Sequence, residues 1–83
     1  MSEYIGVSVA LDMNRDDFEE AFMHVNLTVR KVLCDLPLDE VDCGYGFGTR
    51  DFEFKVLEGD TEEMRKTIQD RVREAGLEVV EMG

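Results

Sequence analysis

Residues 41–57 constrain this chain more than any other stretch. Two runs, 41–47 and 51–57, alternate apolar and polar side chains on either side of Gly48-Thr49. Period-two alternation marks strands with one buried face, and glycine in the first position of a two-residue loop suits a type II′ turn. A loop at Gly48-Thr49 pairs Val41 with Val56, Cys43 with Phe54 and Tyr45 with Phe52, setting apolar against apolar. The other side then sets Asp42 against Lys55 and places Gly44 and Gly46 across from acids. A slip of one residue would turn each apolar set to the wrong face. A β-hairpin is therefore predicted at the centre of the fold.

The flanking segments repeat one arrangement on each side of it. Residues 4–11 alternate Ile5, Val7, Val9 and Leu11 with Tyr4, Gly6, Ser8 and Ala10, a strand pattern. Asn14, with Asp17 three residues on, reads as the capping pair of a helix. Phe18, Phe22, Val25, Val29, Val32 and Leu33 then recur at helical spacing, up to about Cys34. Pro37 ends that helix by pushing Leu36 out of the helical region. Asp60 and Glu63 form a second capping pair, Met64, Ile68, Val72 and Ala75 a second stripe, and Gly76 a closing C′ glycine. Residues 77–82 make the last strand. The order is strand, helix, strand, strand, helix, strand, in a single domain spanning residues 1–83. It resembles the ferredoxin-like split βαβ fold, an α+β architecture with a four-stranded antiparallel sheet and both helices on one face. Right-handed crossovers give that arrangement, which many unrelated functions share.

Composition narrows the function classes. Twenty Asp and Glu against nine Lys and Arg leave a net charge of −11 in 83 residues. Such a chain repels phosphates, so neither direct nucleic-acid binding nor an anionic membrane surface is expected. An apolar content of 43% is too high for a disordered acidic tail. The N-terminus lacks the pattern of a secretory signal. Cys34 and Cys43 sit among apolar neighbours and read as reduced core thiols of a cytoplasmic protein.

Residue sets that carry chemistry are sparse. His24 has no catalytic partner in the sequence, and Ser2 and Ser8 lie in no nucleophile-elbow context. Gly44-Tyr45-Gly46-Phe47-Gly48 does not lead from a strand into a helix, which a phosphate-binding loop requires. The loop after the first strand, Asp12-Met13-Asn14-Arg15, lacks both the Cys-x-x-Cys of ferredoxin-like metallochaperones and the glycine cradle of acylphosphatases. Asp12-x-Asn14-x-Asp16 is similar to the first half of an EF-hand loop, and alternate oxygen ligands suit Ca²⁺. Asp17 stands where that loop needs its glycine and Met23 where it needs its bidentate Glu. Asp12, Asn14 and Asp16 are thus the candidate metal ligands, for weakly held Ca²⁺ only, and no other cofactor is expected.

The ferredoxin-like order gathers the exit of the first helix and the entry of the second at one end. Asp35, Asp39, Glu40, Glu58, Asp60, Glu62 and Glu63, together with Glu3 and Glu81, then form a negative pole, with Arg30 and Lys31 as its cations and Arg71 and Arg73 at the far end. The open sheet face should carry Tyr4, Gly6, Ser8, Ala10, Asp42, Gly44, Gly46, Asp51, Glu53, Lys55, Glu78, Val80 and Met82. It lacks the stacking aromatics of an RNA-binding sheet. It offers instead, with the last strand and an apolar patch of Tyr4, Val80 and Met82, a homodimer surface. The expectation is a non-catalytic acidic interaction protein that binds a basic surface of another macromolecule, such as a nucleic-acid-binding protein. Its sharpest form is an inhibitor that mimics nucleic acid, as anti-restriction and anti-CRISPR proteins do. B-DNA carries one charge per ~1.7 Å, about 20 phosphates in ~34 Å, against twenty carboxylates and nine cations here. The alternative is a weak divalent-cation-binding or small-ligand regulatory domain.

Overall fold

The computed structural model describes residues 3–83. The elements are β1 (Glu3–Ala10), α1 (Phe18–Leu33), β2 (Leu38–Gly46), β3 (Thr49–Val56), α2 (Thr61–Glu74) and β4 (Val79–Met82). The sheet order is β2-β3-β1-β4, with each neighbouring pair antiparallel. This is the expected ferredoxin-like α+β arrangement. Ile5, Val7 and Val9 of β1 and Phe52 and Phe54 of β3 are buried against Val25, Val29 and Leu33 of α1 and Ile68 and Val72 of α2. The Phe52 and Phe54 rings lie 6.2 Å apart, nearly parallel. β1 and β3, paired in the middle of the sheet, carry the greasiest face because both helices pack over them.

The two helices start differently. Asp60 caps α2 as expected, its Oδ1 accepting from Glu62 N at 2.8 Å and Glu63 N at 3.2 Å. Asp60→Ala should cost about 1 kcal/mol, read as a lower urea midpoint with an unchanged m-value. α2 closes on Gly76 at φ 90°, with Gly76 N donating to Arg73 O and Leu77 N to Val72 O. Those two bonds form a Schellman motif. The α1 start departs from expectation. Asn14 does not cap it; Asn14 N donates to Asp12 Oδ1 in a local turn. The cap position belongs to Asp17, whose side chain makes no cap bond. Its carboxylate is taken by Arg15, through Nε and Nη2 at 2.7 Å each.

The hairpin forms, but two residues out of the expected register. Its loop is Phe47-Gly48, with Cys43 opposite Phe52, Tyr45 opposite Arg50 and Gly46 opposite Thr49. Both loop residues have positive φ, 52° and 82°, as a type I′ turn needs. A shift of two keeps the faces, which is why the alternation still reads correctly. Val41 is then an extra residue in β2, so Glu40 pairs with Phe54 and Leu38 with Val56. The loop position sets Asp42 against Glu53, and the bulge beyond it sets Asp39 against Lys55. Phe47 is an aromatic residue in left-handed backbone and fully exposed. Phe47→Asn should therefore raise stability by about 0.5–1 kcal/mol, measured by thermal unfolding.

β4 also departs from expectation. It starts at Val79, and a register shift beside Ser8 and Val9 sets Met82 opposite Val7 and Val79 opposite Val9. Met82 therefore packs on the core, and the expected Tyr4–Val80–Met82 patch does not form. Glu81, opposite Ser8, takes the place on the open face that Glu78 and Met82 were expected to hold.

Candidate functional site

Seven acids of the expected pole follow from the topology, since α1 exit, β2 start, β3 exit and α2 entry meet at one end; Glu81, expected there too, lies opposite Ser8 instead. Internal partners occupy four of them. Asp35 pairs with Arg71, which also donates to Val32 O at 3.0 Å. Arg71 thus reaches the exit of α1 rather than standing at the far end. Glu40 receives Arg30 through two bonds of 3.1 and 3.0 Å. Glu62 pairs with Arg65 one turn on, and Asp60 is committed to capping α2. Asp39, Glu58 and Glu63 make no ion pair among the described residues. Exposed pairs of this kind add little stability. They do place three guanidinium groups against carboxylates of the pole and weaken its outward field.

The Arg71 hydrogen bond holds the Asp35 carboxyl below its ordinary 3.8, and Arg15 does the same for Asp17. A depressed folded-state value stabilises above the unfolded value and is lost as pH falls through the folded one. The contribution is present above pH 3.8 and disappears only in stronger acid. Carboxyl-carbon NMR should show the Asp35 midpoint return toward 3.8 in Arg71→Gln.

The open face of the sheet holds acids without such partners. Counting across the strands, one row runs Asp42, Glu53 and Gly6; the next runs Gly44, Asp51, Ser8 and Glu81. Gly6, Ser8 and Gly44 form a low floor, and Asp42, Asp51, Glu53 and Glu81 stand around it, lining a shallow depression of about 390 Å³. Directly opposed side chains on neighbouring strands have Cβ atoms ~4.5–5.5 Å apart, and like charges there repel. Asp42 and Glu53 are such a pair. Among the described residues none of these four carboxylates has a cation within salt-bridge distance. Asp42 accepts only Cys43 N, at 2.8 Å, and Asp51 only the Thr49 hydroxyl, at 3.0 Å. Lys55 lies on the same face, between Asp39 and Tyr4.

The remaining candidates are accounted for locally. Asp12, Asn14 and Asp16 are exposed and sit in a turn closed by the Asn14–Asp12 bond. Among the described residues no group of three or more His, Cys, Asp or Glu could hold a metal ion. His24 is exposed on α1 and lines a cleft with Arg15, Asp17 and Glu20. Cys34 and Cys43 are free and, against expectation, both exposed: Cys34 follows the end of α1, and Cys43 lies on β2 at the sheet's edge. No helix of the described residues is long and apolar enough to cross a membrane. Comparison with protein-family models, with curated proteins and with solved structures finds no match to this chain.

Proposed function

We propose that this protein is a non-catalytic binding module whose open sheet face presents carboxylates to a basic surface of another macromolecule. One observation carries the reading: Asp42 and Glu53 oppose each other directly, with Asp51 and Glu81 beside them, and among the described residues none of the four has a cation within salt-bridge distance. Close like charges cost free energy in the unbound protein, and a basic partner relieves that cost. The glycine and serine floor lets long Arg or Lys side chains approach the sheet. In its narrower form the module occupies a surface that otherwise holds nucleic acid. Two exposed free thiols suit a reducing compartment, the cytoplasm.

The test is a low-salt capture from lysate with salt-step elution, followed by affinity measurement on the recovered partner. Affinity should fall steeply with salt. Asp42→Lys/Asp51→Lys/Glu53→Lys should weaken binding by about 100-fold or more, since juxtaposed like charges cost several kcal/mol and each 1.4 kcal/mol is tenfold. Asp39→Lys/Glu58→Lys/Glu63→Lys, which reverses the unpaired acids of the pole, should have the smaller effect. Equal affinity for the face-reversed protein and the wild type rejects the open face as the site. Competition by a DNA duplex separates the narrower form: it displaces the protein if the two share a surface.

A further inference from the structure

Uncompensated charge is spread over the whole molecule, beyond the open face. Four of the twenty acids, Asp17, Asp35, Glu40 and Glu62, have an ion-pair partner among the described residues. The others include Glu3 on β1, Asp39 on β2, Glu58 in the loop before α2, Glu74 at the end of α2 and Glu78 before β4, all exposed. Of the nine cations, Arg15, Arg30, Arg65 and Arg71 are the partners in those pairs. Arg50 is buried against Phe22 and Phe52. Lys31, Lys55, Lys66 and Arg73 are the cations left to offset the remaining acids.

The native chain holds this charge within a radius of gyration of 12.5 Å, against roughly 28 Å for an unfolded chain of this length. Folding therefore crowds a net −11, and the self-repulsion subtracts from the stability of the compact state. We infer that monovalent salt, by screening this repulsion and without occupying a defined site, sets how stable the fold is. The dimensions of the molecule, 42 × 22 × 17 Å, make the dependence steep. At ~0.01 M salt the Debye length is ~30 Å, so carboxylates on opposite sides of the body still repel. At ~1 M it is ~3 Å, shorter than the ~4.5–5.5 Å between directly opposed side chains, the arrangement of Asp42 and Glu53. Even that pair is then largely screened. The same salt weakens the four ion pairs, but exposed pairs add little stability, so less is lost than gained.

The inference is independent of the open-face reading, because it concerns the unbound protein. Tm followed by circular dichroism should rise by about 10–20 °C between ~10 mM and ~1 M KCl. NaCl should act as KCl does at equal concentration. Glu3→Gln/Glu58→Gln/Glu78→Gln removes three exposed charges and leaves Asp42, Asp51, Glu53 and Glu81 in place. Repulsion scales with the product of the charges. Going from −11 to −8 should therefore cut the salt-dependent rise to roughly half, with the variant the more stable protein at low salt. Equal rises in variant and wild type would assign the effect to salting-out of apolar surface and overturn the inference. A Tm that is flat or falls with salt overturns it too. So does a rise complete by ~5 mM of one cation, which marks a bound ion.

Discussion

Arg50→Ala is expected to lower stability by about 3–4 kcal/mol, the cost of removing a buried cation bonded to three elements. Arg50 is 4% exposed. Its guanidinium carbon sits 4.8 Å from the Phe22 ring centroid and 4.6 Å from that of Phe52. Nε donates to Asn26 Oδ1 at 2.7 Å, and Nη1 to Gly44 O at 2.8 Å and Asp51 O at 3.3 Å. One side chain thus ties α1, β2 and β3 together where the sheet edge would otherwise peel away. Truncation leaves a void between two rings and strips Asn26 of its partner. In a domain this size 1 kcal/mol shifts Tm by about 4–8 °C, so the loss should be about 12–30 °C. Arg50→Met refills the void but leaves Asn26 unpaired, and should cost about 2 kcal/mol. Adding Asn26→Leu to Arg50→Met should recover part of that loss, because an unpaired, half-buried acceptor costs more than an absent one. A Tm drop below about 3 °C for Arg50→Ala would show that the neighbours close over the site unaided.

Arg50 also shows where sequence reasoning stops. Element order and core were legible because Ile5, Val7 and Val9, Val25 and Val29, Phe52 and Phe54, and Ile68 and Val72 keep strict strand or helix periods. The same alternation marks Arg50 as inward-facing, but its partners depend on which residue of β2 lies opposite. That register was misread because Phe47, a β-former by propensity, occupies a left-handed turn position usually held by Asn or Gly. The bulge at Val41 has no glycine to announce it. The charge map was misread for a similar reason. The sequence shows that Arg71 lies on α2, but its bonds to Val32 O and Asp35 depend on how far the two helices are offset along each other. Local periodicity carries no information about that offset. The open face was enumerated nearly residue for residue across β1, β2 and β3, since alternation alone determines it. What could not be read was that its acids lack ion-pair partners while Asp35, Glu40 and Glu62 of the pole have them.

That division of labour between faces makes the second large effect informative. Ile68→Ala should cost about 3–4 kcal/mol by transfer and cavity terms, lowering Tm by about 12–30 °C. Only Ile68 and Val72 of α2 are buried, and Ile68 is 0% exposed. Two fully buried side chains, with Met64 packed half-buried beside them, therefore hold fourteen residues of helix on the sheet. Leu57→Ala, at an exposed position, should stay within about 0.5 kcal/mol of wild type. Domains of this length carry about 4–12 kcal/mol in all, so Ile68→Ala removes a large share. At low temperature, where the variant stays folded, the strands that carry Asp42, Asp51, Glu53 and Glu81 keep their register, because α2 covers the opposite side of the sheet. The variant should then bind the captured partner with wild-type affinity while melting far earlier. Weaker binding at 10 °C by a variant with a wild-type amide spectrum for β1, β2 and β3 would mean that the partner also contacts the helix layer, and that the open face is not the whole site.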